Sequence, residues 1–220
     1  APASQPAPPP LEPEAPAAPL AAAEVAGALT ELLGRSALVV TDDFPRRFVA
    51  TVDNLGRAHA PPLMWPVTPT AGRFTVQEAD GSAVIAADNS ARYTPFVLLA
   101  EGVDAAAAVR LYARMYPLLQ GVYRELGFPG KSFHGRMVEV IDLLLATPQP
   151  PHPLRVQLVE VRGTVPSERP WVRYEYADPA LEALSAGQKI LLRVGPENQK
   201  RLKAKLAELR VELLRSTPRR

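Results

Sequence analysis

The clearest helical pattern of the chain is DAAAAVRLYARMYPLLQGVYREL, residues 104–126, and it sets the fold class. Three tyrosines, Tyr112, Tyr116 and Tyr123, border an apolar stripe whose members recur at the spacing of one helix face. Pro117 falls on the opposite, polar side, where we expect it to kink the helix. The stripe consists of Leu111, Met115, Leu118, Leu119, Val122 and Leu126. The pattern therefore predicts a long helix that packs one face against other elements.

Segments on both sides of this helix show the same apolar spacing. The expected helices cover residues 20–34, 42–55, 132–147 and 178–194, followed by a last helix after Gly195-Pro196. Asp42, Ser132 and Asp178 stand where they can cap the second, third and fourth of these helices. On the helix of residues 42–55, Asp53 is expected to face away from the apolar stripe.

Two short regions are typical of β structure. RFTVQEADGSAVIA, residues 73–86, predicts a hairpin that turns at Asp80-Gly81. LRVQLVEVRG (154–163) and WVRYEYA (171–177) alternate like two paired strands. The predicted fold class is therefore mainly α (α+β). It is a single domain over residues 20–220, with about six to seven helices and two small antiparallel β pieces.

The segment ahead of this domain, APASQPAPPPLEPEAPAAP (residues 1–19), contains eight prolines. Proline has no N–H for a helix or a strand ladder, so the composition predicts an extended, disordered linker rather than packed structure. The chain starts at Ala1 without an initiator Met, and we expect a signal peptide or membrane helix to have preceded it. Residues 1–19 are therefore interpreted as a tether.

Charge and cysteine content exclude several kinds of site. The formal net charge is only +2, which does not predict nucleic-acid binding, although residues 197–220 carry eight Lys or Arg and three Glu. The absence of cysteine excludes disulfides, thiolate nucleophiles and Cys-ligated metals. No phosphate-binding loop, zinc-protease motif or nucleophile elbow occurs. The sequence therefore predicts no catalytic residue, no metal site and no cofactor.

Six residues form the candidate binding set, because tyrosine beside arginine suits an interface or a glycan-stacking groove. They are Arg92, Tyr93, Tyr116, His134, Arg136 and Glu139. The alternative for the tyrosines is the rim of the core, with their hydroxyl groups outward. His134 is either a hydrogen-bonded core residue or a proton-transfer group. Glu139 and Asp142 either divide acid and base roles or lie on a solvated face, with Arg136 paired to Glu139.

The last helix is the main interaction candidate. Its leucine stripe is Leu202, Leu206, Leu209 and Leu213, with Lys203 and Arg210 on one flank. The stripe could dock inside the domain, pair with a partner or a second copy as a coiled coil, or bind an anionic membrane surface. These three alternatives remain open from the sequence.

Four segments resemble a known family. They are RRFVATVDNL (46–55), RLYARMYPLLQGVYRELGFPG (110–130), RMVEVIDLLLATP (136–148) and YEYADPALEALSAGQKILLRVGPEN (174–198). They are similar to a proteobacterial family that carries domain-of-unknown-function number 3014. The resemblance implies an N-terminal membrane helix, then a Pro/Ala-rich linker, then this domain outside the cytoplasm. It assigns no activity, cofactor or catalytic residue.

These features predict a non-catalytic domain on a membrane tether, at the periplasmic face of the inner membrane of a Gram-negative bacterium. Its expected partner is another protein or an envelope component, with no nucleic acid and with membrane contact only through a segment before Ala1. The alternative is a small-molecule or glycan-binding domain, or a weak hydrolase. That alternative would use a Tyr/Arg groove with His134, Glu139 or Asp142.

Overall fold

A computed structural model of the chain describes residues 18–79, 81–151, 153–159 and 172–216. Within these ranges lie eight α-helices and two two-stranded antiparallel sheets, which confirms the predicted fold class. The helices are α1 (Val25–Leu33), α2 (Phe44–Leu55), α3 (Thr94–Gly102), α4 (Ala105–Glu125), α5 (Phe133–Leu145), α6 (Pro179–Glu182), α7 (Ala186–Arg193) and α8 (Pro196–Arg215). The strands are β1 (Val76–Ala79), β2 (Ser82–Ile85), β3 (Val156–Leu158) and β4 (Tyr174–Tyr176).

Helix α4 is the long helix that the apolar spacing predicts. Asp104 caps it, because its Oδ1 accepts a hydrogen bond from the backbone N–H of Ala107 at 2.6 Å. Pro117 lies inside the helix and is exposed, as predicted. The three tyrosines differ from the expectation, since Tyr112, Tyr116 and Tyr123 are all buried. The buried face of α4 is therefore wider than its aliphatic stripe.

Other helix boundaries depart from the sequence prediction. Asp42 is not the cap of α2, since Asp43 stands at that position with φ +47° and makes no side-chain cap hydrogen bond. The helix expected over residues 178–194 is divided into α6 and α7. Ser185 and Gln188 cause the division, because they form a capping box that starts a new helix. Helix α3 was not predicted.

The two hairpins lie side by side. In the first, Ala79 pairs with Ser82, and Gly81 has φ +71°. In the second, Val156 pairs with Tyr176. The N–H of Ile85 donates to the carbonyl of Leu154 at 2.9 Å and joins β2 to β3. The predicted strands extended into residues 160–171, which lie outside the described part of the chain.

Two apolar clusters hold these elements together. The larger one takes residues from α1 to α5, α7 and α8, and Leu119, Val49 and Phe133 are fully buried in it. The smaller one lies between the hairpins and α7, and it consists of Leu154, Val156, Tyr176 and Leu192. Helix α8 contacts α3, α4, α5 and α7, so the last helix of the chain closes the bundle.

The leucine stripe predicted for the last helix lies against this core. Leu202 and Leu213 are buried, and Leu206 and Leu209 are partly buried and packed against the larger cluster. In this conformation the domain's own helices cover the stripe. Of the three alternatives for the stripe, the geometry is that of intramolecular docking.

Candidate functional site

His134 lies in an aromatic cluster at the start of α5. Its imidazole has no exposed surface, and its Nδ1 is 3.1 Å from the hydroxyl of Tyr112 on α4. The ring of Tyr116 meets the imidazole edge-on at 6.3 Å between centroids. Burial lowers the pKa of His134 and raises that of Tyr112. The cluster therefore joins α4 to α5 through a neutral imidazole that a ligand cannot reach.

Gln120 connects this cluster to the start of α5, a role that the sequence alone did not predict. Its Oε1 accepts the hydroxyl of Tyr116 at 3.0 Å and the N–H of Phe133 at 2.8 Å. Its Nε2 donates to the carbonyl of Lys131 at 2.9 Å. The hydroxyl group of Tyr116 therefore points into the structure, and the expectation of outward tyrosine hydroxyls is wrong here.

Arg136 and Glu139 belong to an ion-pair network centred on Asp53. Arg136 Nε lies 3.0 Å from Asp53 Oδ1, Arg136 Nη1 lies 2.9 Å from Glu139 Oε1, and Arg57 Nη2 lies 2.7 Å from Asp53 Oδ2. Burial by itself would lower the pKa of Arg136, but pairing with Glu139 and Asp53 raises it above its usual value. The predicted pair of Arg136 with Glu139 is confirmed.

The prediction that Asp53 faces away from the core is wrong, since the residue is only 7% exposed. Arg136 also donates from Nη2 to the backbone carbonyl of Asp53 at 2.9 Å. Gly56 makes room for this contact, because a Cβ there would lie 2.6 Å from Arg136 Nη2. The arginine of α5 thus binds the C-terminal part of α2, and the network links the two helices.

Arg92 and Tyr93 lie together in a different part of the structure. The guanidinium of Arg92 donates to the carbonyls of Ala71 at 3.0 Å and Gly72 at 3.2 Å, and it lies over the ring of Tyr93 at 5.7 Å. These bonds hold the loop ahead of β1. The six-residue candidate set is therefore divided between a loop clamp, the buried cluster around His134 and the network around Asp53.

Asp142, the second carboxylate of the proposed acid–base pair, binds Arg210 of α8. Arg210 contacts it through Nε and through Nη2, the latter at 3.2 Å from Oδ2. Hydrogen bonding to Asp142 raises the pKa of Arg210. Glu139 and Asp142 thus each pair with an arginine of the chain itself, and this geometry favours the structural reading over acid–base chemistry.

The exposed apolar surface of α8 lies on a second face, which we call the α8 outer face. It consists of Ala204, Ala207, Val211 and Leu214. All four are exposed, with Val211 at 46% and Leu214 at 37% of their full area. Their 3-4-3 spacing is the spacing of a helix-pairing seam. This spacing can be read from the sequence, but the leucine stripe of α8 gives a stronger apolar pattern.

An open groove of about 770 Å³ runs beside the α8 outer face. Ala204, Ala207 and Val211 form one wall, and Ala105 and Ala106 at the start of α4 form the other. Four carboxylates and one lysine also line it: Glu101, Asp104, Glu208, Glu212 and Lys205. The lining of the groove therefore combines small apolar side chains with several carboxylates.

A second groove of about 410 Å³ lies between α1, the start of α2 and α4. Its walls are mainly apolar and include Val25, Phe44, Pro117 and Leu118. Leu20 precedes α1, and its backbone N–H donates a hydrogen bond to the carbonyl of Arg114 on α4 at 2.9 Å. The segment that follows residue 17 is thus fixed to α4 one turn before Pro117.

A protein-family model described as "Protein of unknown function (DUF3014)" matches residues 44–210. The chain belongs to this family. The resemblance noted in four segments of the sequence is thereby confirmed for the DUF3014 family. No curated protein and no solved structure is significantly similar to the chain.

The match runs from the start of α2 to Arg210 in α8. Most residues that line the larger groove lie within it, and Val211 and Glu212 follow it. Among the residues that the structure describes, no group of three potential ligands could hold a metal ion. Over the same residues, none of the helices combines the length and apolarity needed to cross a membrane.

Proposed function

We propose that this DUF3014 domain is a non-catalytic binding module that docks a protein or envelope component on the α8 outer face. One observation carries the proposal. The helix buries one apolar stripe in the core and leaves a second stripe, with Val211 46% exposed, beside an open groove. An exposed apolar face beside a groove is typical of an interaction site rather than of a closed catalytic pocket.

The side chains that could carry chemistry support a non-catalytic role. His134 is fully buried, and Asp53, Glu139 and Asp142 are paired with arginines that join helices. A general base must reach the proton that it removes, within hydrogen-bond distance or through one water molecule. These groups are instead arranged to hold α2, α4, α5 and α8 together.

The composition of residues 1–19 supports a proposal for where in the cell the module acts. A proline-rich segment of that length would extend about 55–60 Å if it adopts polyproline II. Such a spacer suits a domain held on a membrane anchor, so we propose that the module acts at the periplasmic face of the inner membrane. The partner would then be an envelope protein or a wall component within reach of the tether.

The test is photocrosslinking in the native cells. A photoreactive phenylalanine analogue replaces Val211 in one strain, and Leu63, which is 83% exposed in another part of the chain, in a control strain. We expect a discrete, reproducible adduct from position 211 that position 63 does not give. The adduct should disappear in cells that also express an excess of the unlabelled domain.

The proposal fails if positions 211 and 63 give the same adducts, or if position 211 gives none. A small-molecule or glycan-binding role would then be the better hypothesis. Thermal-shift measurements of the full chain against metabolite and glycan panels would test that role. A rise in melting temperature with one ligand class, together with the missing adduct, would identify it.

A further inference from the structure

We infer that the groove beside α8 accepts a helix of a partner protein, and that this partner helix carries an apolar stripe flanked by lysine or arginine. The inference rests on the proposed function and names the class of partner for the same surface. The shape and the charge of the groove each support it.

The spacing of the α8 outer face suits a helix rather than an extended peptide. Ala204, Ala207, Val211 and Leu214 follow one another at intervals of three, four and three residues, as the contact positions of paired helices do. The alanine side chains on both walls would let the helix of a partner approach α8 and α4 closely. Val211 then provides a larger apolar contact at the C-terminal end of the groove, and Leu214 continues the apolar face of α8 beyond it.

The charge of the groove favours a basic partner. Its four carboxylates and one lysine give the lining a net charge of −3. Lys205 is turned toward its own chain, with Nζ 3.0 Å from the carbonyl of Val103 and 2.6 Å from Glu208 Oε2. Glu101 pairs with Arg201, and Glu212 pairs with Arg215, so these carboxylates are partly neutralised. With Arg201 and Arg215 counted, the groove and its ion-pair partners carry a net charge of −1, and this negative potential steers and orients a cationic helix.

The same charge disfavours a second copy of the chain as the occupant. A symmetric dimer brings one surface patch against itself. The carboxylates that line one groove would then face those of the other, and like charges in register oppose association. Lys203 and Arg210, on the opposite flank of α8, bind Thr147 and Asp142 of their own chain and do not line the groove, so they do not offset its charge.

The test uses two synthetic helical peptides of about three heptads with an identical Leu/Ala stripe. One carries Lys at the flanking positions and the other carries Glu. Binding to the full chain is measured by fluorescence anisotropy. We expect the Lys peptide to bind at least about tenfold more tightly than the Glu peptide, and its affinity to fall as salt is added.

Two variants test the two parts of the inference. The double substitution Val211→Ser and Leu214→Ser should weaken the Lys peptide by about tenfold or more, whereas Leu63→Ser should leave it unchanged. The pair Glu208→Gln and Glu212→Gln should weaken the Lys peptide by about three- to tenfold and should not weaken the Glu peptide. Circular dichroism melts check that each variant is folded.

Several results would overturn the inference. Equal or tighter binding of the Glu peptide contradicts the basic partner, and unchanged binding by the Val211/Leu214 variant contradicts the location. A dimer that sedimentation detects and that the same variant abolishes would make a second copy the occupant. If neither peptide binds but the crosslink at position 211 persists, the partner class is wrong while the proposed function stands. If neither peptide binds and position 211 gives no crosslink, both the inference and the proposed function are rejected.

Discussion

A single buried histidine illustrates how residue type can suggest chemistry that the fold does not use. His134 meets Tyr112 and Tyr116 in the core, and burial lowers its pKa because a charged imidazole would lose its hydration there. Protonation of the folded chain therefore needs a lower pH than protonation of the unfolded chain. The residue contributes packing and the hydrogen bond to Tyr112 at neutral pH, and its protonation in acid destabilises the folded state.

This burial predicts a specific loss of stability below neutral pH. In the unfolded chain His134 titrates near its ordinary pKa of 6.5, and in the folded chain it titrates lower. Between these two values the unfolded state binds more protons, so the free energy of unfolding falls as pH decreases, by at most about 1.4 kcal/mol per pH unit. Urea unfolding at pH 7.5 and 5.5 measures this fall.

Two variants separate His134 from other acid effects. His134→Gln should be less stable at pH 7.5 but should show a smaller fall between the two pH values than the parent chain. His59→Gln is the matched control, because His59 is exposed, and it should keep the parent's pH dependence. An identical fall in the parent and in His134→Gln would show that burial does not shift this group.

At the scale of elements, α8 shows why one helix can serve both core and surface. Its inward stripe ends at Leu213, which is 2% exposed, and its outer face ends at the next residue, Leu214, which is 37% exposed. One residue along a helix turns the side chain by about 100°. Adjacent leucines therefore have different roles, and their substitutions should have different consequences.

Leu213→Ala should lower the free energy of unfolding by about 2–4 kcal/mol, because it leaves a cavity in the core. Leu214→Ala should change it by no more than about 0.5 kcal/mol, because the side chain is already partly in water. Guanidinium unfolding of both variants measures the difference. Equal destabilisation by the two substitutions would mean that α8 is rotated from the orientation described here.

Periodicity and caps predict most helices of this chain but not their partners. Helices α4 and α5 begin after the capping residues Asp104 and Ser132, and their apolar spacing is regular, so the sequence suffices. It did not predict α3, whose nine residues are apolar on more than one side: Val97 is fully buried while Leu98 is 56% exposed. Short helices with weak patterning depend on tertiary packing.

The candidate site was less predictable, for a physical reason. Asp53 reads as a solvated aspartate until Arg136, 83 residues later, is placed beside it. The α8 outer face is hard to recognise in the sequence because Ala204, Ala207 and Val211 are weaker apolar signals than the four leucines of the other stripe. Spacing shows that two stripes exist on α8, but only the neighbouring helices determine which one is covered.

Two glycines differ in the space around them, so replacing them with alanine should have opposite effects on stability. A Cβ at Gly187 in α7 would lie 2.6 Å from Leu144 Cδ2 and 3.0 Å from the carbonyl of Leu55, whereas a Cβ at Gly121 in α4 meets nothing within 4 Å. Gly187→Ala should therefore destabilise the domain by about 1–3 kcal/mol. Gly121→Ala should stabilise it by about 0.5–1 kcal/mol through helix propensity. Thermal unfolding tests the opposite signs, and stabilisation by both would exclude tight packing of α7.

At the scale of the whole molecule, the folded unit extends beyond the family match. The match begins at Phe44, yet Leu20, Val25 and Leu29 are buried in the larger core cluster. The N–H of Leu20 also donates to the carbonyl of Arg114, near the point where Pro117 removes a helical donor from α4. Helix α1 and the residues before it are thus part of the domain's structure.

Truncation tests this boundary. A chain that lacks residues 1–17 should melt within about 2 °C of the full chain, because it keeps Leu20 and α1. A chain that lacks residues 1–35 loses three buried aliphatic side chains and exposes their partners on α4, so its melting temperature should fall by on the order of 10 °C. If removing residues 1–17 alone causes that fall, the proline-rich segment contributes to the stability of the fold. If removing residues 1–35 causes no fall, α1 is an appendage and the folded unit begins at α2.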